Sequence, residues 1–336
     1  MEKILTIAIP VYNMEQYLRR CLDSVVASKY IDRLEILVVN DGSKDRSLEI
    51  AREYESKYPD AVRAIDKPNG GWGSAINLSI REAKGKYYKS LDSDDWFDTE
   101  ELDGFIQELM VVNADLVVTN LTEVDADNNC KPIEFNSLYG VGNLPIVDFL
   151  IKGNYTFDIP IHSDTYRTEF LQSNNIAVSE CFYADQDFKV YPVAHIRTIN
   201  FSRKNVYRYF YGREGQSVSY AGYVKHYGDY VRVCKAQLKF YKDAEHTLDK
   251  DIKKVLENKI FEHCKWAYAL ALDPKICNGS AEAQNALKEL DKCIKLSSSS
   301  LYKRLASVKT MKIMPYIFLW RKCNINFLKV TDFFHR

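Results

Sequence analysis

Three carboxylates fall within four residues at Asp92-Ser93-Asp94-Asp95. Like charges this close suppress one another's ionisation unless a cation or hydrogen-bond donors offset them. A divalent metal that takes oxygen ligands and leaves positions open for phosphate is one such offset. A solvated acidic turn that caps the next helix is the other reading. Similar polar groups recur upstream. Asp41, in Asn40-Asp41-Gly42-Ser43, can accept the imide N–H of a uracil or simply close a turn, and Tyr12 offers a ring to stack on a base. Gly70-Gly71-Trp72-Gly73-Ser74 lets backbone approach a ligand ahead of a helix N-terminus, where anions are favoured. It is not G-x-G-x-x-G, so no nicotinamide site is implied. Trp72 and Trp96 flank these groups and suit either stacking on a sugar face or packing at the rim.

The elements that must carry these residues follow from apolar periodicity. Residues 5–10 and 34–39 are continuous apolar runs, expected as strands buried on both faces. Residues 62–65 and the stretch from Tyr87 to Leu91 are two more strands. Helical spacing follows each of the first three: Leu18, Leu22, Val25 and Val26; then Leu48, Ala51 and Tyr54; then 74–84, with Gly85 as its expected C-terminal cap. Capping-box spacings are read at Asn13 with Gln16 and at Asp98 with Glu101. Repeated strand–helix units predict an α/β fold, a mostly parallel sheet flanked by helices, which binds ligands at the carboxyl ends of its strands. Tyr12 and Asn13, Asp41, the glycine loop and the acidic cluster are all expected at those ends.

Beyond residue 98 the pattern predicts a helix to about 110, a strand over 116–121, a short helix over 146–151, a short strand over 164–167 and a helical turn over 168–173. A helix-like stretch covers 185–193 and an aromatic strand 205–211. From residue 220 glycine and proline become rare and helical periodicity dominates, so two domains are expected: 1–219, with halves of about 1–125 and 126–219, and a helical 220–336. The tail over 301–336 interleaves lysine and arginine with Tyr302, Tyr316, Phe318 and Trp320. That composition suits either peripheral contact with an anionic membrane or packing of the rings on the helical domain.

Totals narrow the function. Forty-six basic residues balance 46 acidic ones, so no nucleic acid partner is expected. Eight cysteines form no C-x-x-C pair, which reads as reduced thiols in a cytoplasmic protein. Met1-Glu2-Lys3 leads directly into a strand, so no signal peptide is expected, and no apolar run approaches the roughly 18 residues of a membrane span. His162, His195 and His263 have no ligand-like spacing and are expected as packed or surface residues.

Pro10-Val11-Tyr12-Asn13, Asn40-Asp41-Gly42-Ser43, Asn69-Gly70-Gly71, Asn77 and Leu91-Asp92-Ser93-Asp94-Asp95 occur in an order and spacing that resembles the family-2 glycosyltransferases, inverting nucleotide-sugar-dependent enzymes with the GT-A fold. The match is carried by residues 1–125, thins towards 220 and stops there. The resemblance implies a bacterial enzyme with a UDP-sugar donor, UDP-galactose or UDP-glucose, and a glycan, glycolipid or glycoprotein acceptor. It implies donor contacts at Pro10, Tyr12, Asn13, Asp41, Asn69, Gly70, Gly71, Asn77, Asp92 and Ser93. Asp94 corresponds to the direct ligand of Mn²⁺ or Mg²⁺, Asp92 to a ribose and metal-water contact, and Asp95 to a supporting partner or a helix cap. In the family the base is the second member of a Glu-Asp pair that starts a helix; here the pair reads Ala184-Asp185, so Asp185 is expected as base, with Asp187 and then Glu180 as alternatives. Arg213 and Gln216 correspond to a phosphate- or acceptor-contacting region. The chain lacks Gln-x-x-Arg-Trp and membrane spans, which implies a non-processive, single-sugar enzyme. Two other readings compete with this one. A sugar-1-phosphate nucleotidyltransferase needs a glycine-rich loop where Pro10-Val11-Tyr12-Asn13 stands. A non-catalytic nucleotide-sugar-binding protein has no use for Asp92, Asp94 and Asp185 together.

Overall fold

The computed structural model describes residues 2–135, 142–145, 159–212, 220–273, 280–309 and 314–323. The chain divides into two compact units, Met1–Glu214 and Gly215–Arg336. In the first, β1 (Leu5–Val11), β2 (Leu34–Asp41), β3 (Val62–Lys67) and β4 (Tyr87–Ser90) alternate with α1 (Leu18–Val26), α2 (Ser47–Lys57) and α3 (Trp72–Glu82). Every residue of β1 and β2 is buried, as their unbroken apolar runs require. β1 pairs in parallel with β2 on one side and β4 on the other, and β2 with β3. All four strands therefore end on one rim.

The rest of the sheet changes direction. β5 (Trp96–Phe97), α4 (Thr99–Val111), β6 (Leu116–Val124), β7 (Cys130–Ile133), β8 (Gly142–Pro145), β9 (Asp164–Arg167), α5 (Thr168–Ser173), α6 (Asp185–Phe188) and β10 (Thr198–Phe210) complete the unit among the described residues. The strand order is β3-β2-β1-β4-β9-β6-β10-β5. β9 runs antiparallel to both β4 and β6, while β10 is parallel to β6. This inserted strand carries the chain just before it, including His162, to the end of β4.

Several local expectations change. Asn13 caps nothing: α1 starts at Leu18, and Asn13 sits at φ 55 with its side-chain oxygen accepting from the Lys44 N–H at 2.7 Å. Gly85 is not a helix cap either; a Cβ there would lie 2.5 Å from the Thr6 nitrogen, so glycine is needed where β1 passes. Asp98 does cap α4, accepting from the Glu101 N–H at 3.0 Å. The helix expected over 185–193 is a single turn followed by a 3₁₀ turn at Pro192–Ala194. The 146–151 helix lies outside the described residues.

The second unit is helical: α7 (Tyr220–Ala244), α8 (Lys250–Leu272), α9 (Ala281–Ser297), α10 (Ser299–Ala306) and α11 (Tyr316–Cys323). Its core includes Leu256, Leu270, Leu287, Leu290, Ile317 and Trp320. Arg321 stacks 3.6 Å from the Tyr302 ring centre and donates to Asp291 at 2.7 Å, so a tail cation and a tail ring are spent inside the unit. Tyr316 and Trp320 are buried while Phe318 is 43% exposed. Among the described residues no helix is long and apolar enough to cross a membrane.

Candidate active site

The rim loops are tied together by backbone. After β1, the Asn13 and Met14 N–H groups donate to Ser43 and Ser47 at 3.0 and 2.9 Å. This fixes the β1 loop against the β2 loop and leaves Tyr12 48% exposed beside them. Asp41, at the end of β2, is buried. Its carboxylate accepts from Gly70 N–H at 2.9 Å, Gly71 N–H at 2.8 Å and Lys67 Nζ at 2.6 Å. Asn69 donates to the Asp41 carbonyl at 2.9 Å. Asp41 thus organises the glycine loop from below.

α3 then holds the segment that precedes α6. The buried Asn77 amide donates to Val178 O at 2.9 Å and accepts from Val178 N–H at 2.8 Å. One N–H and the oxygen of this amide are used inside the protein, which gives Asn77 a structural tie in addition to the donor contact the resemblance implies. Gly73 is required by the same approach: a Cβ would stand 2.0 Å from Ser179 O and 3.2 Å from the Ala184 methyl.

The acidic cluster divides by environment. Trp72 Nε1 donates to Asp92 Oδ1 at 3.0 Å, and His162 Nε2 lies 3.5 Å from Asp92 Oδ2. Trp72 is therefore committed to Asp92. Ser93 and Asp94 are buried, and the Asp94 carbonyl accepts from Arg20 at 2.8 Å. Arg20 in turn stacks 3.8 Å from the Trp96 ring centre, so that indole packs on a cation at the rim. Asp95 is 1% exposed; its oxygens accept from Tyr207 OH at 2.6 Å and Phe210 N–H at 2.7 Å. Burial, then the neighbouring Asp94 and Asp92, push its carboxyl well above the usual range. Its carboxylate caps no helix; α4 is capped by Asp98.

Ligand atoms of Asp92, Asp95 and His162 lie within 4.8 Å of one another. Carboxylates crowded enough to raise Asp95, with an imidazole alongside, are a fitting place for a divalent cation. Asp94 lies outside that trio. His162, expected as merely packed, does pack on Tyr207 and Tyr209, at 4.9 and 4.5 Å between ring centres, but it also faces Asp92.

Asp185 is half-buried at the start of α6 and accepts from Gln186 at 2.6 Å. The surrounding protein pushes its carboxyl up; Lys189 and His162 pull it down, and Asp92 adds to the rise. It therefore senses the same groups that line the cluster. Asp187 is fully buried and accepts from Ser179 N–H at 2.8 Å, a structural tie, and Glu180 is exposed. Arg213 and Gln216 lie outside the described residues. Sequence reasoning missed His162, Tyr207 and Arg20. None sits in a local motif; only the aromatic alternation of β10 hinted at Tyr207.

The family model described as "Glycosyl transferase family 2" matches residues 6–196. Among curated relatives, glycosyltransferase GlyA of Streptococcus pneumoniae is 38% identical over 116 residues, which is 34% of this chain and 16% of that protein. The chain thus spans only a minor part of that relative's length. Among solved structures, residues 1–349 of S. aureus TarS superpose with TM-score 0.71 at 18% identity, covering 99% of this chain and 91% of that one; TarS was also solved with UDP-GlcNAc, TM-score 0.68 at 19% identity, with the same coverage. The mannosyltransferase PcManGT of Pyrobaculum calidifontis, with GDP-Man and Mn²⁺, matches at TM-score 0.52 and 15% identity over 91% of this chain and 79% of that one. The fold is that of these GT-A glycosyltransferases, with a helical C-terminal region.

Proposed function

This chain belongs to glycosyl transferase family 2, and from that premise we propose that it is an inverting, non-processive hexosyltransferase, using a UDP-sugar donor and a glycan, glycolipid or glycoprotein hydroxyl as acceptor. The observation that carries the proposal is the gathering of Asp92, Asp95 and His162 within 4.8 Å of one another on the strand-end rim that also bears the Asp41-held glycine loop; Asp185, half-buried and pushed up by the surrounding protein, is the proposed base. A base needs a proton affinity above that of an ordinary surface carboxylate, close to the groups that hold the donor.

Tyr12 stacks on the base, and the Gly70–Gly71 loop before α3 faces the diphosphate. Asp92 and His162, two of the three side chains that converge at the cluster, would hold a divalent cation, and the resemblance adds Asp94 of the motif. Bound there, that cation supplies positive charge to the diphosphate leaving group. An imidazole in the donor set favours Mn²⁺ over Mg²⁺, which prefers all-oxygen surroundings. Asp95, the third member of that trio, also accepts from Tyr207 and Phe210, so it shares its oxygens between the protein and the cluster. Asp185 removes the acceptor hydroxyl proton as that oxygen bonds to the anomeric carbon. The bond from that carbon to the UDP oxygen breaks on the opposite face, so configuration inverts.

UDP-galactose and UDP-glucose are the donors implied by the resemblance, and the UDP-GlcNAc seen with TarS adds an N-acetylated sugar to the panel. Donor hydrolysis measured across that panel tests the reading: one UDP-sugar turned over in preference to the rest supports it, and inertness towards every nucleotide sugar overturns it. Scattered cysteines without a C-x-x-C pair support a cytoplasmic setting for the proposed activity. Contact of residues 301–336 with a membrane is a subsidiary proposal, checked by liposome flotation of the full chain against a chain lacking them.

A further inference from the structure

We propose that Lys89 is a positioning residue that sets His162 at the edge of the site; the proposal rests on the cation reading above. Lys89 lies on β4 and is 0% exposed. A lysine with no access to water loses its hydration, so its ammonium must be repaid by acceptors. Its partners are specific. Nζ donates to the His162 carbonyl at 2.7 Å and to the Asp164 carbonyl at 3.1 Å.

The turn over residues 160–164 shows why those two carbonyls need it. Pro160 O accepts from Ser163 N–H at 2.9 Å, and Ile161 O from Asp164 N–H at 3.1 Å. Ser163 O accepts from Thr119 N–H on β6 at 3.0 Å. His162 O and Asp164 O take their donor from Lys89 instead. The β4–β9 ladder pairs Tyr87 with Arg167 and Tyr88 with Tyr166, and no pair is formed at Lys89. Where that ladder stops, a side chain takes over its task. A small cavity lined by Tyr88, Ser90, Ile161, Asp164, Tyr166 and Phe188 marks the place where the strands part.

The parting is what delivers the imidazole. With its carbonyl held from β4, His162 lies over Tyr207 and Tyr209 and 3.5 Å from Asp92. The Lys89 ammonium is itself 5.8 Å from the Tyr207 ring centre. Tyr207 OH donates to Asp95 and accepts from the Asp92 N–H. Lys89, His162 and Tyr207 therefore form one packed unit beneath and beside the carboxylates. A paraffinic side chain would fill the same volume but remove the one donor that joins the His162 and Asp164 carbonyls to β4.

The test is Mn²⁺ binding to the full chain, read by electron paramagnetic resonance with Mn²⁺ as the only ligand, in wild type, Lys89→Met, His162→Ala and the double variant. The expected result is a dissociation constant raised about 10-fold in Lys89→Met, within the range seen when outer partners of metal ligands are removed. The double variant should bind no more weakly than His162→Ala alone, because Lys89 acts through His162. Lys89→Gln, which keeps an N–H donor, should recover part of the loss, and it replaces Lys89→Met should that variant not fold. An unchanged dissociation constant in the folded Lys89 variant, with His162→Ala impaired, overturns the positioning role alone. Losses that multiply in the double variant also overturn it, since a merely structural lysine would act independently. Wild-type protein that binds no Mn²⁺ overturns the cation reading itself, and this role with it.

Discussion

From β1 to β4 the loops that face the site are held largely by backbone N–H groups and short polar side chains. From β6 to β10 the site is held by aromatic rings and buried polar groups far apart in sequence. In the first region Asp41 gathers Gly70 and Gly71, and Ser43 and Ser47 pin Asn13 and Met14. In the second, Tyr207 reaches Asp95, His162 reaches Asp92, and Asp185 feels both Asp92 and His162. The difference separates two tasks. A diphosphate is recognised by fixed dipoles, which strand ends and helix N-termini provide as geometry. Proton transfer and metal placement need perturbed side chains, which only a packed, partly desolvated surrounding creates.

Mutation should break the two regions in different ways. The largest effect is expected at the group they share: Asp92→Ala removes the acceptor for Trp72 and the carboxylate that faces His162 and should cost transfer about 100-fold or more, with Mn²⁺ no longer strengthening UDP binding by calorimetry. Near-normal activity in that variant would end the common-site account. Next, the acidic motif can be resolved by Mn²⁺ titration. Asp94→Asn and His162→Ala should each weaken binding about 10- to 100-fold, and Asp95→Asn less, because its oxygens serve Tyr207 and Phe210. An Asp95 loss as large as the His162 loss would put that carboxylate in the coordination sphere. Asn77→Ala sharpens the boundary between structure and chemistry. It should lower unfolding free energy by about 1–3 kcal/mol in urea melts, the cost of stranding the Val178 backbone groups, while UDP affinity stays put; lost UDP affinity in a stable variant would put Asn77 at the donor site as well.

The smallest expected effect is a pH slope. Burial pushes the Lys89 ammonium down to about 7 in the folded chain, offset in part by Asp164, whereas an unfolded lysine titrates near about 10.4. Between those values the unfolded chain holds a proton that the folded chain has released, so wild-type stability rises with pH. Melting temperatures of wild type and Lys89→Met should therefore diverge in favour of wild type from about pH 7 to about pH 9. A constant gap would mean that Lys89 stays charged throughout.

The same division governs what could be read from the chain. Strand–helix alternation, the rim and the Asp98 cap were legible because each rests on local periodicity or spacing. The motif residues were legible as a set, but not the partners that define their roles: nothing local ties Asn77 to Val178 or Trp72 to Asp92. The nearness of His162 to Asp92 is not legible because no spacing along the chain encodes it; β9, inserted antiparallel between β4 and β6, supplies the proximity instead. The capping box at Asn13 failed for a related reason: the β2 loop competes for that side chain and wins.

The most direct test of the account is Asp185→Asn, with UDP–Mn²⁺ binding and sugar transfer measured on the same preparation. The substitution preserves shape and removes the proton acceptor. Binding should match wild type while transfer falls by about 10²- to 10⁴-fold, the usual contribution of a general base. A variant that binds UDP–Mn²⁺ and transfers sugar at the wild-type rate would contradict the account and move the base to another residue.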